Sequence, residues 1–450
     1  MKLLLSAILL SLIPVFSGQE LNILIKMIPD QEKYFTETII KGFEKQRGCK
    51  VNVHTFTDHW QLTEKLKPGQ PPMDVVKVPM GMAHRLASKK LVHPLAKVIQ
   101  AEKLNKIKKD YFLLKLAEVE GELYYIPRKF ETRIMVYLKS KVVEAVENWS
   151  GMRPAIEAEL KKALGVGLPD TYLLVDDPSD WSYLDVFVAG YYWAHTKYEG
   201  TAFGRVAHRG KDYSGTALGL MDRCFQMGAK RQDLSDVKSK YFTEVLKWES
   251  LYAGNKIYNA ESWESGWDGR DIWKAFQEGK VFLSFLTQLD CYFLHGSEGA
   301  KGYVKNPADL DFALTPAAVP LNDKFDGSRR ISTGGWLWGI GSQSKKAELA
   351  MELIRFITSN QNQIGETERF GMIPVRKDIL GRSAPFKDDW KVRVFNTSSR
   401  QLRTNRSNYL PHVEGFEKLE KQYIAVWKKV VIASEKGYLG EDKVKKIQMK

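Results

Sequence analysis

Cysteine is scarce: Cys49, Cys224 and Cys291 are the only three in 450 residues. They are odd in number and far apart, so neither a disulfide framework nor a zinc pattern is available. Stability therefore cannot depend on oxidation. Beyond the first twenty residues no apolar run reaches the roughly 20 residues that span a bilayer. Internal repeats and low-complexity linkers are absent. The eight histidines are scattered and form no tight metal pair. Gly-x-Ser-x-Gly, His-Glu-x-x-His and the P-loop pattern are also missing, which removes the enzyme classes that those motifs mark. No cofactor and no metal are called for. A carboxylate enzyme stays open, because such enzymes carry no short motif.

What is present fits a folded protein. Hydrophobic residues at 44% and charged residues at 27% exclude wholesale disorder. The length allows two or three domains with sizeable cores. The formal charge of +14 is unevenly spread. Between Trp390 and His412 lie Lys391, Arg393, Arg400, Arg403 and Arg406, with no acidic residue, and the tail adds Lys443, Lys445, Lys446 and Lys450. Such a stretch attracts an anionic ligand or an anionic membrane surface, or is simply solvated. No recognition motif accompanies it, so nucleic acid is not an expected partner.

The N-terminus has a short basic start, Met1-Lys2, then residues 3–16, apolar apart from Ser6 and Ser11. That length is a Sec signal rather than a membrane span. Val15 and Ser17 are small enough for the −3 and −1 positions, which places cleavage after Ser17 and makes residues 1–17 a signal peptide. No cysteine follows the apolar run, so a lipoprotein anchor is not expected. The mature chain is expected to be soluble and exported.

Residues 21–25 read as a strand. Pro29 and Asp30 open a helix with Phe35, Ile39, Ile40 and Phe43 on its apolar side, and Gly48 closes it. Strands at 51–56 and 74–78 and helices at 60–66 and 83–87 follow. This alternation argues for an α/β fold with an open sheet. Ligands in such sheets sit beyond the carboxyl ends of strands, which singles out Ile28, Asp58, Trp60 and Met80. The middle, about 135–329, repeats a mixed pattern: a strand at 172–175 and helices from Trp181, at 241–253 and at 269–278. Ser344 is placed to cap a helix, and Pro411 precedes another that carries Phe416, Leu419, Tyr423 and Trp427.

Twelve tryptophans exceed what packing usually needs. Trp60, Trp181, Trp267, Trp336 and Trp338 fall at or near strand ends, where an indole stacks on the apolar face of a sugar ring. Each is equally a core residue by type. Trp336 and Trp338 alternate with Leu337 and share a strand face, so spacing does not tell them apart. Gly334 and Gly335 before them permit close backbone approach. Asp58, Glu131, Asp180 and Asp290 are carboxylates near strand ends, suited to paired hydrogen bonds with adjacent hydroxyls. They are also ordinary surface charges by type.

Ordered segments of the chain resemble extracellular solute-binding proteins of ABC importers, in the branch of the maltodextrin- and trehalose-binding proteins. FEKQRGCKVNV, PMDVVKVPMGMAHRLASKKLVHPL, GELYYIPRKFETRIMVYL and AFQEGKVFLSF are similar to that family's segments. So are GGWLWGIGSQSKKAELAMELIRFITSNQNQ and GMIPVRKDIL, all in family order. The resemblance implies a two-lobed periplasmic-binding-protein (Venus-flytrap) α/β fold with crossover strands. It implies lobes of 18–130 plus 330–370 and 131–329 plus 371–450. It further implies a monomer that binds a sugar or oligosaccharide in the inter-lobe cleft without catalysis and delivers it to a membrane permease. It places ligand contacts at Asp58, Trp60, Glu131, Asp180, Trp181, Asp290, Gly335, Trp336 and Arg406. Where many relatives place a stacking Trp, this chain has Leu286-Thr287-Gln288-Leu289-Asp290. Two rivals share these residues: the same fold holding an anionic phosphoester, uronate or polyamine, and a periplasmic carbohydrate enzyme with two carboxylates.

Overall fold

The computed structural model describes residues 18–449 except 58, 60, 199–200, 203–204, 320–325, 381–385, 406–407 and 411–414. The expected signal peptide, residues 1–17, lies outside the described residues.

Leu21, Ile23, Leu24 and Ile25 are fully buried, the near-continuous apolar run of a strand covered on both faces. They form β1 (Glu20–Ile25), which pairs in parallel with β2 (Lys50–Thr55) and β3 (Val75–Pro79). The helical stretch between β1 and β2 buries Phe35, Ile39, Ile40 and Phe43 and ends where Gly48 turns left-handed. The main strands that follow are β4 (Tyr125–Glu131), β5 (Arg133–Leu138), β6 (Arg205–Ala207), β7 (Val281–Thr287), β8 (Leu310–Ala313) and β9 (Gly334–Ile340). One sheet has the order β2-β1-β3-β9-β4 and a second the order β6-β7-β5-β8. β9, far along the chain, is antiparallel to both β3 and β4 and so closes the first sheet.

Each sheet has its own core. In the first lobe Phe35 stacks on Trp338, and Phe43 meets Phe356. In the second, alternation along β5 sends Met135 and Tyr137 to a large aromatic core with Trp181, Trp193, Trp248 and Trp427. Ile134 and Val136 face the opposite way, toward Trp273, Tyr292 and Val394. Ile373 and Val375 belong to the first core, whereas Val394 belongs to the second lobe.

The chain passes between lobes at Thr132, which separates β4 from β5, and again between β8 and β9. Backbone at a crossing is buried without a full strand partner, so side chains must satisfy it. Gln288 donates from Nε2 to the Phe130 carbonyl (2.9 Å). Asn405, fully buried, donates from Nδ2 to Thr132 Oγ1 (3.0 Å) and accepts the Ile331 N–H at Oδ1 (3.2 Å). Two distant amides thus tie the two crossings together.

Two expectations fail locally. Residues 172–175 form no strand. Tyr172 is fixed by its hydroxyl on Asp185 (2.7 Å) and by its ring on Trp149, while Leu173 and Val175 point to solvent. Ser344 caps no helix: the helix begins at Ala347, and the Ser344 hydroxyl donates instead to Asp74 Oδ1 (2.6 Å). The helix expected from Trp181 starts at Tyr183, where Ser182 and Asp185 form a capping box.

Asn405→Ala leaves the Ile331 N–H and the Thr132 hydroxyl buried without their partner. The expected cost is roughly 2–4 kcal/mol of stability, read from urea unfolding of the free protein.

Candidate functional site

Because β9 runs against β3 and β4, the carboxyl ends of β3 and β4 and the start of β9 lie on one edge of the first sheet. That edge carries Pro79, Glu131 and Gly334. It faces the second lobe across a cleft of about 990 Å³. Ser214, Leu218, Phe416 and Glu420 form the far wall, and Thr132, Arg133, Thr287 and Ser332 lie at the join.

Trp336 is half-buried on the near wall. Lys77 Nζ sits 4.0 Å from its ring centroid, and His59 meets it edge-on at 5.3 Å. Two residues further along β9, about 6–7 Å along the strand, Trp338 is sealed against Phe35. Position along the strand, not facing, therefore separates the two indoles. Gly335 has φ +145°, and a Cβ there would stand 2.3 Å from the Lys129 carbonyl oxygen. Only glycine fits, and the β9–β4 ladder shifts register at the next residue.

The cleft edge is rich in buried charge. Lys77 donates to the Lys26 carbonyl oxygen; burial, with Arg128 and Lys129 close by, holds its ammonium well below the usual lysine range. Glu131 pairs with Lys129. Burial pushes its carboxyl up, but Lys129, Lys77 and Arg133 outweigh that, and it stays below the ordinary range. Glu420 contrasts with it. Burial, with Glu417 adding repulsion, raises Glu420 to about 7 although the Ser214 hydroxyl donates to its Oε2 at 3.0 Å. One wall therefore offers a fixed carboxylate and the other a carboxyl near its titration point.

Of the residues singled out in the sequence, Glu131, Gly335 and Trp336 come together at the cleft, joined by Met80. Asp58, Trp60 and Arg406 lie outside the described residues. Trp181 is a core residue, not a platform: it is fully buried, and its indole N–H donates to the Val175 carbonyl at 2.7 Å. Asp290 is a structural carboxylate, capping the helix Gln288–His295 and accepting from Trp273 Nε1 (3.0 Å) and Arg209 Nη2 (2.9 Å). Asp180 is exposed in the turn before Trp181, away from the cleft walls. Trp267 is buried in the second lobe. Within the basic stretch Lys391 and Arg393 pair with Asp388 and Asp311, and Arg400 and Arg403 are exposed.

Sequence reasoning missed His59, Arg133, Ser214, Thr287 and Glu420. Thr287 closes β7 at its carboxyl end, so the strand-end rule applied to the second lobe would have found it, whereas Arg133 opens β5 at its amino end opposite Thr287, where that rule does not look. Glu420 lies inside the amphipathic helix Phe416–Ser434, where nothing local separates it from a surface charge.

Trp181→Ala is expected to destabilise the free protein by roughly 3–5 kcal/mol, the cost of emptying a large core site, as measured by chemical unfolding. For Glu420 the sign follows from its raised pKa. The folded state keeps the proton more tightly than the unfolded chain, so stability is full below about pH 4.5 and falls as pH rises toward about 7. Glu420→Gln should remove that fall. At pH 8 it should be the more stable protein by roughly 2–3 kcal/mol, with little difference at pH 4.5, in paired unfolding titrations.

The profile of a family described as bacterial extracellular solute-binding protein matches residues 38–394. No curated protein matches the sequence. Among solved structures, the GacH receptor of Streptomyces glaucescens GLA.O superposes with a TM-score of 0.69 at 14% identity, covering 96% of both chains; it was solved unliganded and with acarbose and an acarbose homolog. Maltose-bound MalE3 of T. maritima gives 0.67 at 15%, over 96% of this chain and 98% of that one. An ABC-transporter solute-binding protein of Thermotoga lettingae TMO, bound with α-D-tagatose, gives 0.66 at 18%, over 96% and 100%. At these identities the likeness is one of fold, and that fold is two-lobed. Two lobes, a cleft at the strand ends and the profile match over 38–394 agree: the chain belongs to the bacterial extracellular solute-binding protein family.

Proposed function

We propose that this protein is the soluble binding component of an ABC importer and takes an oligosaccharide in the cleft between its lobes. The observation that carries the reading is the Trp336 ring, backed by Lys77 and set beside Glu131 at the strand ends facing the second lobe. An indole face fits the CH face of a sugar, and a carboxylate fits neighbouring hydroxyls. The solved relatives holding maltose, tagatose or acarbose support the same ligand class. Asp58, Trp60 and Arg406 are retained as further contacts.

Sugar touching both walls favours the closed arrangement by as much as it binds closed better than open. The closed form is what a membrane permease would recognise, and no catalytic step is assigned to the cleft. Residues 1–17 act as a cleaved signal, releasing an unanchored monomer into the periplasm. Among the described residues no helix is long and apolar enough to cross a membrane. The lobes divide near 131 and 330. The last division falls at 370/371, and beyond it Ile373, Val375 and Leu402 still pack against the first core.

A thermal-shift panel of neutral oligosaccharides tests this. Ligand at about 100 times its dissociation constant stabilises by roughly 2.7 kcal/mol. Trp336→Ala should weaken the binding sugar by roughly 1–3 kcal/mol in calorimetry while the free melting temperature barely moves. Product appearing from the bound sugar would replace this reading with the enzyme. No response to any sugar would remove the sugar assignment.

A further inference from the structure

Arg133 lines not only the cleft but also a second, smaller chamber within the second lobe. The helix Ser214–Gln226 borders both spaces. Ser214 and Leu218 face the cleft, while Gly215, Gly219, Asp222 and Gln226 face the chamber. Three guanidiniums reach the chamber: Arg133, Arg209 and Arg223. Each is held by a carboxylate, respectively Asp222, Asp290 and Glu249.

Their arrangement is lopsided. Of the three carboxylates only Asp222 borders the chamber, and its oxygens are already taken by Arg133 and by the Ser332 N–H (2.8 Å) and hydroxyl (2.5 Å). Asp290 and Glu249 hold their arginines from behind. The three arginine side chains keep 14%, 17% and 10% of their surface open, so none is sealed by its ion pair. Arg209 Nε is buried and has no hydrogen-bond partner among the described residues. The chamber thus presents more donors than acceptors. Tyr183, Tyr252 and Phe285 supply apolar wall.

We propose that this chamber is a subsite for an anionic substituent, a carboxylate or a sulfate, carried by a sugar bound in the cleft. Guanidinium forks match such groups in a bidentate manner, and an arginine fixed from behind loses little freedom on binding. The proposal rests on the sugar-binding reading of the cleft and narrows its ligand class. Gly219 offers a way to test it. A Cβ there would sit 3.6 Å from His208 Nε2, an ordinary contact, so a side chain can be started from this position toward the chamber wall.

The experiment is calorimetry with di- to tetrasaccharides of the gluco, galacto and manno series. Each is used as the neutral parent, with a terminal uronate, and with an O-sulfate. In the series that binds, an acidic member should bind at least tenfold more tightly than its parent. Gly219→Leu should cut that advantage below threefold while the parent's affinity is kept. The charge-paired double variant R133Q/D222N should also lose the advantage, and the unfolding midpoint of each variant is read alongside. A gain with uronate alone or with sulfate alone supports the proposal and names the group. Parents that bind as tightly as their acidic forms, or an advantage that survives both variants, overturn it while leaving the cleft reading intact. Failure of every sugar, neutral or acidic, overturns both.

Discussion

The arrangement of the lobes depends on how the crossing backbone is satisfied. A chain that leaves one sheet for another must pass through buried ground where no strand completes its hydrogen bonds. Here the passage from β4 to β5 takes a single residue, Thr132. Its neighbours are served by Gln288 from the second lobe and its own hydroxyl by Asn405 from the end of the helix Asp389–Asn405. Asn405 also accepts from Ile331 on the returning crossing, and Gln401, one turn earlier, accepts from the Thr315 N–H (3.0 Å). Amides suit this task because each carries both donor and acceptor and no charge to desolvate. The cleft inherits its position from them, since Glu131, Thr132 and Arg133 are consecutive and all line it.

Charge follows a related rule. Burying a cation is costly unless it is paired. Arg128 answers with Glu366 at 2.5 Å, both sealed. Lys129 answers with Glu131, and Arg133 with Asp222. Among the described residues Lys77 forms no ion pair and uses the Lys26 carbonyl and the Trp336 ring instead. A cation under an indole holds the ring at a fixed height and strengthens its negative face toward the charge. The exposed face is then preset before any ligand arrives, which lowers the entropy cost of binding.

Local pattern sufficed for β1, for the helix closed by Gly48 and for β9 after its two glycines, because period, caps and glycine placement are written in neighbouring residues. It failed where long-range partners decide. The apolar run at 172–175 looks like a strand, yet no strand lies beside it. Trp181 and Trp336 are chemically alike and both follow turn-forming residues. One is drawn into the second core by the Val175 carbonyl and its aromatic neighbours, and the other is left at a sheet edge by a bulge. Glu131 was legible as a carboxylate near a strand end and through the family resemblance of its segment, not from a strand period of its own. Glu420, Gln288 and Asn405 were not, since a helix pattern marks which face is buried but not what the buried polar group will meet.

The three consecutive residues at the crossing also separate two tasks. Glu131 belongs to the first sheet and Arg133 to the second, and they stand on either side of Thr132. A closure of the kind proposed above that turned about Thr132 would displace groups in proportion to their distance from it. In that proposed closure, contacts to Glu131 and Arg133 would change little, whereas the outer walls, Trp336 on one side and Phe416 and Glu420 on the other, would change most. A ligand's differential affinity for the closed form, the only quantity that drives closure, must come from bridging those outer walls. Chemistry near the pivot instead acts in both arrangements and decides which ligand is held at all. On the proposed function, specificity and closure would thus fall to different residues of one cleft, and a chain could change the first near Thr132 without disturbing the second.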